Sequence, residues 1–307
     1  MAVADERFDY IIVGAGSAGC VLANRLGEDR GARILVLEAG GSDRSLIIKI
    51  PLTWGLILKN RLFDWNYLTE PEAGMDGRRI ECARGKVLGG CTSINGMHYA
   101  RGMPQDFDGW AQNLGLPAWS YANVLPYFRR SESWEGGASA LRGGDGPLTV
   151  VTSRFADPLI DAFFNATDIE GYPRNADYNG ASADGIGRMQ MTIRRGLRCS
   201  VSAAYLKPAL ARRNVTLRLH SQATRVLFEG SRATGIEYLR GGQRYVARAD
   251  REVLLCGGVI NSPQLLMLSG IGDPDQLSRH GIQVRASLKG VGRNLHCLLY
   301  TSDAADE

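Results

Sequence analysis

Apolar positions along this chain alternate between two rhythms, and the alternation predicts a layered α/β fold. Phe8-Asp9-Tyr10-Ile11-Ile12-Val13 is a short apolar run that ends at Gly14-Ala15-Gly16-Ser17-Ala18-Gly19, and an apolar-studded stretch follows. Such a run before clustered glycines reads as a buried parallel strand turning sharply into a helix. Residues 33–38, Arg-Ile-Leu-Val-Leu-Glu, predict a second strand. Leu148–Val151 predicts another strand and Pro158–Thr167 a helix. A further helix is predicted over Tyr121–Glu132, capped by Ser120, with Val124, Leu125 and Phe128 toward the core. Val215–Leu219, Thr224–Phe228 and Gly235–Leu239 predict a small meander. Glu252–Cys256, apolar between Glu and Gly-Gly, predicts a central parallel strand. Ser262-Pro263 predicts a helix start, and residues 200–213 a helix that Pro208 shortens or kinks. Residues 42–80 read as loop with aromatic anchors, and Glu135–Gly146 as an exposed loop.

With 307 residues, 44% of them hydrophobic and 22% charged, the chain suits one large or two ordinary globular domains. A net charge of +4 from scattered basic residues predicts no nucleic-acid partner. The cysteines form no CxxC pair and no secretory signal is visible, which predicts reduced thiols and a cytoplasmic setting. No apolar stretch approaches the ~20 residues of a transmembrane segment, and peripheral attachment stays open. No cluster has metal-ligand spacing.

The chemistry begins at the first glycine cluster. Gly14 suits a tight turn, Gly16 close approach of a pyrophosphate, and Gly19 close helix–strand packing. The helix start then offers free N–H groups and a partial positive charge to phosphate. Glu38 ends the second strand about 20 residues later, where a carboxylate grips ribose hydroxyls and repels a 2′-phosphate. This is a dinucleotide-binding pattern. Glycines recur from Gly85 to Gly96 with Thr92, Ser93 and Asn95 between them, at a backbone-entropy cost that a close ligand justifies. Two glycine stretches holding opposite ends of one long cofactor favour FAD over NAD; the plain alternative is a mobile surface loop.

Gly85-Lys-Val-Leu-Gly-Gly-Cys-Thr-Ser-Ile-Asn95 resembles the first signature of the glucose–methanol–choline (GMC) oxidoreductases. The stretch from Gly258 to Gly272 is similar to their second signature. Phe63–Pro71, Gly143–Pro147 and Gly290–Leu295 also fit, and the likeness runs from Phe8 to His296. Within the family the choline dehydrogenase branch is most similar. Cys91 and Val259 depart from the usual small or hydroxyl residues.

The resemblance implies a Rossmann-type FAD/NAD(P)-binding domain with an inserted, incomplete α+β substrate domain. Its expected segments are residues 1–146 and 195–296 for FAD binding and 147–194 for the substrate domain. The last segment, 297–307, breaks from the family abruptly and reads as a non-native tail. By resemblance, Gly14, Gly16, Ser17, Ala18 and Gly19 hold the pyrophosphate and Glu38 with Ala39 the ribose. Gly85, Val87, Gly90, Thr92, Asn95, Gly96 and Met97 line the flavin side, and Ala223 meets adenine. Ile94 stands where some members carry a flavin-linking histidine, so FAD is expected to be non-covalent.

The implied reaction is oxidation of a primary alcohol to an aldehyde by hydride transfer to flavin N5, foremost choline to betaine aldehyde. Oxygen or a respiratory carrier would accept the electrons, the latter implying peripheral association with the inner membrane. Another aliphatic or aromatic alcohol, and a catalytically incomplete FAD-binding fragment, remain alternatives. No residue matches the family's catalytic histidine, expected beyond residue 296, so none is named. His98, His220 and His280 read as structural, Arg194, Arg195 and Arg198 as a solvated loop. Trp110, Trp119, Tyr121, Tyr127 and Phe128 read as core.

Overall fold

A computed structural model of the chain describes residues 6–295. His296 and the expected tail at 297–307 lie outside the described residues. The fold is mixed α/β and divides into two compact units. The first comprises Met1–Asp43, Arg61–Cys91 and Tyr205–Glu307, the second Arg44–Asn60 and Thr92–Ala204.

The first unit is built on one six-stranded sheet. Its strands are β1 (Glu6–Val13), β2 (Ile34–Leu37), β3 (Val215–Arg218), β4 (Ser221–Glu229), β5 (Arg232–Arg240) and β6 (Gln243–Leu255). Helix α1 (Ser17–Leu26) connects β1 to β2, and α2 (Gly258–Leu268) follows β6. The spatial order is β3-β2-β1-β6-β5-β4. The 3-2-1 half of this order is the one expected of a doubly wound nucleotide-binding sheet. Ile12 pairs in parallel with Val36 on one side and Leu254 on the other. All four residues of β2 are buried, as a continuous apolar run in a parallel sheet requires. Ile11, Leu35, Leu37, Ile236, Tyr238 and Ala247 pack in one core cluster on this sheet.

Strand β6 serves two pairings. Its first part pairs antiparallel with β5, and its last residues run parallel to β1, Tyr10 opposite Glu252 and Val13 opposite Leu255. The central parallel position expected for Glu252–Cys256 is therefore correct through Leu255. The expected meander is displaced by one strand: Val215–Arg218 leaves it and joins β2 in parallel, so the meander is β4-β5-β6. Short β-rich runs look alike in sequence, and only the partner tells them apart.

Two further expectations are corrected here. Helix α2 starts at Gly258, not at Ser262, and Pro263 lies inside it. Gly258 has φ +83°, which lets the chain turn directly from strand to helix. Pro263 then deletes only the bond to the Val259 carbonyl. The expected helix at 200–213 is a π turn, Ser202–Leu206, followed by one α turn, Lys207–Leu210.

The second unit holds a three-stranded sheet in which Leu148–Thr152 pairs in parallel with Glu132–Trp134 and antiparallel with Gln190–Met191. Helices Pro104–Asn113, Tyr121–Ser131 and Pro158–Ile169 accompany it. Val124, Leu125 and Phe128 are half-buried, as the helical spacing predicts. The stretch read as loop contains helical turns at Leu46–Lys49 and Trp54–Lys59, too short to show a period. Of the aromatic set read as core, Trp110, Trp119 and Tyr127 are exposed, while Tyr121 and Phe128 are half-buried beside Phe107.

The Glu135–Gly146 loop is not wholly exposed, because Arg142 is only 2% accessible. Its guanidinium binds Glu132 at 2.9 Å, Gln190 at 3.0 Å, and Asp177, and lies over the Trp134 ring. Glu132, fully buried, also accepts from Arg101 at 2.6 Å and from the Gly143 N–H at 2.8 Å. A buried carboxylate without such partners would be untenable.

Candidate functional site

The carboxyl ends of β1, β2 and β6 open into one cavity of about 950 Å³, whose walls belong to the first unit. This is where ligands bind in open parallel sheets. Gly14, Gly16, Ser17 and Ala18 form the wall after β1, and Glu38 with Ala39 the wall after β2. Gly85, Gly90 and Cys91 line another side. Ala223 on β4, Glu237 on β5 and the Cys256–Ser262 turn complete it.

The first three glycines separate cleanly by geometry. Gly14 has φ +99°, and a side chain there would strike the Cys256 carbonyl. A Cβ on Gly19 would lie 1.9 Å from the Gly14 carbonyl oxygen, so α1 packs on the turn only because that atom is missing. At Gly16 the backbone is extended, and a Cβ would meet nothing closer than the Gly90 Cα at 4.0 Å. The protein itself does not require a glycine at 16. What the missing side chain leaves is an open cradle beside the uncapped start of α1, suited to a phosphate group.

The two glycine stretches touch. A Cβ on Gly90 would sit 2.9 Å from the Gly16 Cα, and the Gly89 N–H donates to the Ala15 carbonyl at 2.8 Å. They share one cavity, though not as the separated grips that their sequence distance suggests.

Glu38 is 5% accessible. Its two carboxylate oxygens accept the Ala15 N–H at 2.9 Å and the Gly40 N–H at 2.8 Å. Burial pushes its carboxyl above the usual range, against those two hydrogen bonds and the more distant Lys86 charge. At the far wall, β4 carries a register shift between Ala223 and Arg225. Such a bulge frees backbone groups from the ladder. The Thr224 hydroxyl and Arg244 both donate to one Glu237 oxygen at 2.8 Å.

Of the other expected residues, Gly19 lies beneath the turn and Val87 is fully buried, paired with Gly41. Thr92, Asn95, Gly96 and Met97 belong to the second unit. There the Asn95 side chain accepts the Met97 N–H at 3.1 Å and holds Met97 at φ +64°. The Trp54 ring stands 4.0 Å from a Cβ on Gly96. Glu237, Arg244, Trp65 and the 256–262 turn escaped the sequence reasoning as cavity walls. Gly257-Gly258 directly after an apolar strand end was the available signal.

The GMC oxidoreductase family pattern matches residues 8–299. The chain belongs to the GMC oxidoreductases. It is 47% identical to the mitochondrial choline dehydrogenase of Homo sapiens over 97% of its length and 52% of that protein's. Against the oxygen-dependent choline dehydrogenase of Photobacterium profundum it is 48% identical, covering 95% and 51%. Among solved structures, pyridoxine 4-oxidase from Mesorbium loti matches with TM-score 0.87 and 35% identity, over 91% of this chain and 55% of that one. The formate oxidase of Aspergillus oryzae, studied for modification of its FAD, matches with TM-score 0.83 and 31% identity, over 92% and 51%. The chain spans about half the length of the curated relatives it matches.

Against this GMC framework, Cys91 and Val259 both line the cavity, exposed. His98 is exposed and contacts the Tyr178 hydroxyl at 3.0 Å. Arg198 overturns the solvated-loop expectation. It is 6% accessible, and its guanidinium donates to the carbonyls of Ile48 (2.8 Å), Thr92 (3.2 Å) and Asn95 (2.7 Å). Burial without a carboxylate drives its pKa down to about 10. Among the described residues no His/Cys/Asp/Glu group could hold a metal, and no helix is long and apolar enough to cross a membrane.

Proposed function

We propose that the cavity holds the adenosine and pyrophosphate of FAD without a covalent bond, and that the whole protein oxidises a primary alcohol, foremost choline, to its aldehyde. One observation carries the coenzyme reading: the Gly16 cradle, empty of any steric demand from the protein, opens between the start of α1 and the buried carboxylate of Glu38. FAD supplies the hydride acceptor for the alcohol's carbinol hydrogen.

The chain's own groups bind and orient. N–H groups at the start of α1 face the pyrophosphate, with Gly14, Ser17, Ala18 and Gly19 shaping the turn. Glu38, with Ala39 beside it, takes the ribose hydroxyls, and backbone at Ala223 takes the adenine edge. Gly85, Val87, Gly90, Thr92, Asn95, Gly96 and Met97 make up the flavin-side segment by family likeness. Ile94 offers no nucleophile for a covalent link. The substrate reading rests on the relatives named choline dehydrogenase, and the acceptor is oxygen or a respiratory carrier, the latter with a peripheral site at a membrane.

Titrating FAD into the purified chain while following flavin fluorescence tests the coenzyme reading. Saturable one-to-one quenching, reversed by ADP and releasing intact FAD on acid precipitation, is expected. A chain that retains no flavin refutes it. Anaerobic bleaching of bound flavin by choline in the whole protein tests the substrate, and bleaching by benzyl alcohol alone would move the assignment to an aromatic alcohol.

A further inference from the structure

Glu38 uses every polar group it has on the protein itself. Its side chain takes the N–H groups of Ala15 (2.9 Å) and Gly40 (2.8 Å). Its own N–H donates to the Arg218 carbonyl at 2.9 Å, and its carbonyl accepts the Ser221 N–H at 2.8 Å. The segments it reaches are the walls of the cavity. Ala15 lies in the first glycine turn and passes the connection on, because its carbonyl accepts Gly89 at 2.8 Å. Gly40 leads into Gly41, whose carbonyl accepts Leu88 at 2.9 Å. Ser221 begins β4, which carries Ala223. The first glycine turn and the Gly85–Gly90 loop are thus one or two hydrogen bonds from the Glu38 side chain, and the start of β4 is one bond from its main chain.

Among the described residues no lysine or arginine stands within ion-pair distance of this carboxylate, which is only 5% accessible. Two N–H donors are then its chief compensation for burial. Carboxylates so placed are held by, and in turn hold, the amides that solvate them.

We infer that Glu38 is a positioning residue whose side chain assembles the first glycine turn and the Gly85–Gly90 loop before any coenzyme arrives. Ribose hydroxyls take only the lone pairs left over. This goes beyond the coenzyme role, since it concerns the empty protein; only the nucleotide arm of the test rests on that role.

The test pairs E38Q, the isosteric amide, with hydrogen exchange and two probes. In the empty wild-type chain the Ala15 and Gly40 amides should exchange at least ~100-fold slower than unstructured amides. In E38Q one amide oxygen remains to accept, so at least one of those two N–H groups should lose protection while Ile236 in β5 keeps it. ADP and 2′,3′-dideoxy-ADP are then titrated into both proteins by calorimetry. E38Q should weaken the dideoxy probe at least about tenfold, although that probe has no hydroxyl for Glu38 to hold. Unchanged dideoxy-ADP affinity in E38Q, with protection unchanged, overturns the inference and leaves Glu38 a ribose ligand only. Unstructured exchange rates at Ala15 and Gly40 in the wild-type chain overturn it without any variant, so the question is decided even where E38Q does not fold. Wild-type protein that binds neither probe refutes the coenzyme reading instead, and the exchange arm stands apart from it.

Discussion

Gly16→Ala and Gly19→Ala add the same methyl group three residues apart and should fail in opposite ways. At Gly19 the new Cβ falls 1.9 Å from the Gly14 carbonyl oxygen and 3.2 Å from the Ile12 side chain. Ordinary contact begins at about 3.4 Å, and both neighbours belong to backbone or core. Relief requires α1 to lift from β1, at a cost of about 3 kcal/mol or more. For 307 residues, at about 2.1 cal/mol/K of unfolding entropy per residue, that lowers Tm by about 5 °C. At Gly16 the methyl meets only open space to 4.0 Å, in backbone that alanine adopts freely. The empty protein should be unchanged or gain about 0.4–1 kcal/mol from a stiffer unfolded chain. FAD is another matter. A methyl over the start of α1 keeps phosphate oxygens out of reach of at least two N–H donors, each worth roughly 1.5–3 kcal/mol when charge-assisted. FAD affinity should drop by more than ~100-fold. Thermal melts of the apo-proteins and FAD titrations by fluorescence give both readouts. Wild-type FAD affinity in Gly16→Ala would falsify the phosphate reading, and a wild-type melt for Gly19→Ala the packing argument.

Arg142→Met strips Glu132 and Asp177 of a buried partner and should cost about 3–5 kcal/mol in urea unfolding; a loss below about 1 kcal/mol means that Arg101 alone suffices. Burial first, then the nearby Glu132 charge, pushes the Tyr99 phenol from 10.0 up to about 12. The unfolded chain therefore loses this proton first, and stability should fall as pH rises through the window from 10 to 12, by up to about 2.7 kcal/mol. Tyr99→Phe should flatten that part of the profile; an unchanged slope counts against the buried phenol. Cys91 is exposed on the cavity wall, whereas the Cys20 thiol is buried and pushed far above its usual pKa. A maleimide should label Cys91 in the empty protein and FAD should slow that reaction, with Cys20 silent throughout; peptide mapping that finds no FAD protection contradicts the placement.

Local signals that name their own partner were legible. Val13-Gly14 through Gly19 specified strand, turn and helix, because Gly19 answers to the Gly14 carbonyl five residues away, although the Cys256 carbonyl that Gly14 answers to comes from far along the chain. The buried tetrad of β2 and the apolar end of β6 announced parallel positions, since nothing polar could face water there. Partners supplied from afar were not legible. Val215–Arg218 looked like its meander neighbours, and only the exposed edge of β2 decides where it goes. Arg142 sat among glycines that mark a loop, yet Glu132, Asp177 and Gln190 draw it inside. Arg198 was hidden for the same reason, three of its acceptors being main-chain carbonyls that no side-chain pattern records. At the site, a carboxylate ending β2 beside the glycine turn could be read, but its two amide bonds could not, because both depend on how the turns fold back.

The dual pairing of β6 carries a consequence for biosynthesis. β1 leaves the ribosome well before its neighbour across the sheet, which ends at Leu255, about 240 residues later. At ~5–20 residues per second the first strand waits roughly 12–50 s for that neighbour. Over that interval Ile11, Ile12 and Val13 stay open to unwanted partners, the kind of long-range closure that slows folding and invites chaperones. Nascent chains arrested before residue 243 should therefore keep the N-terminal strand protease-sensitive, and chains released beyond 255 should not.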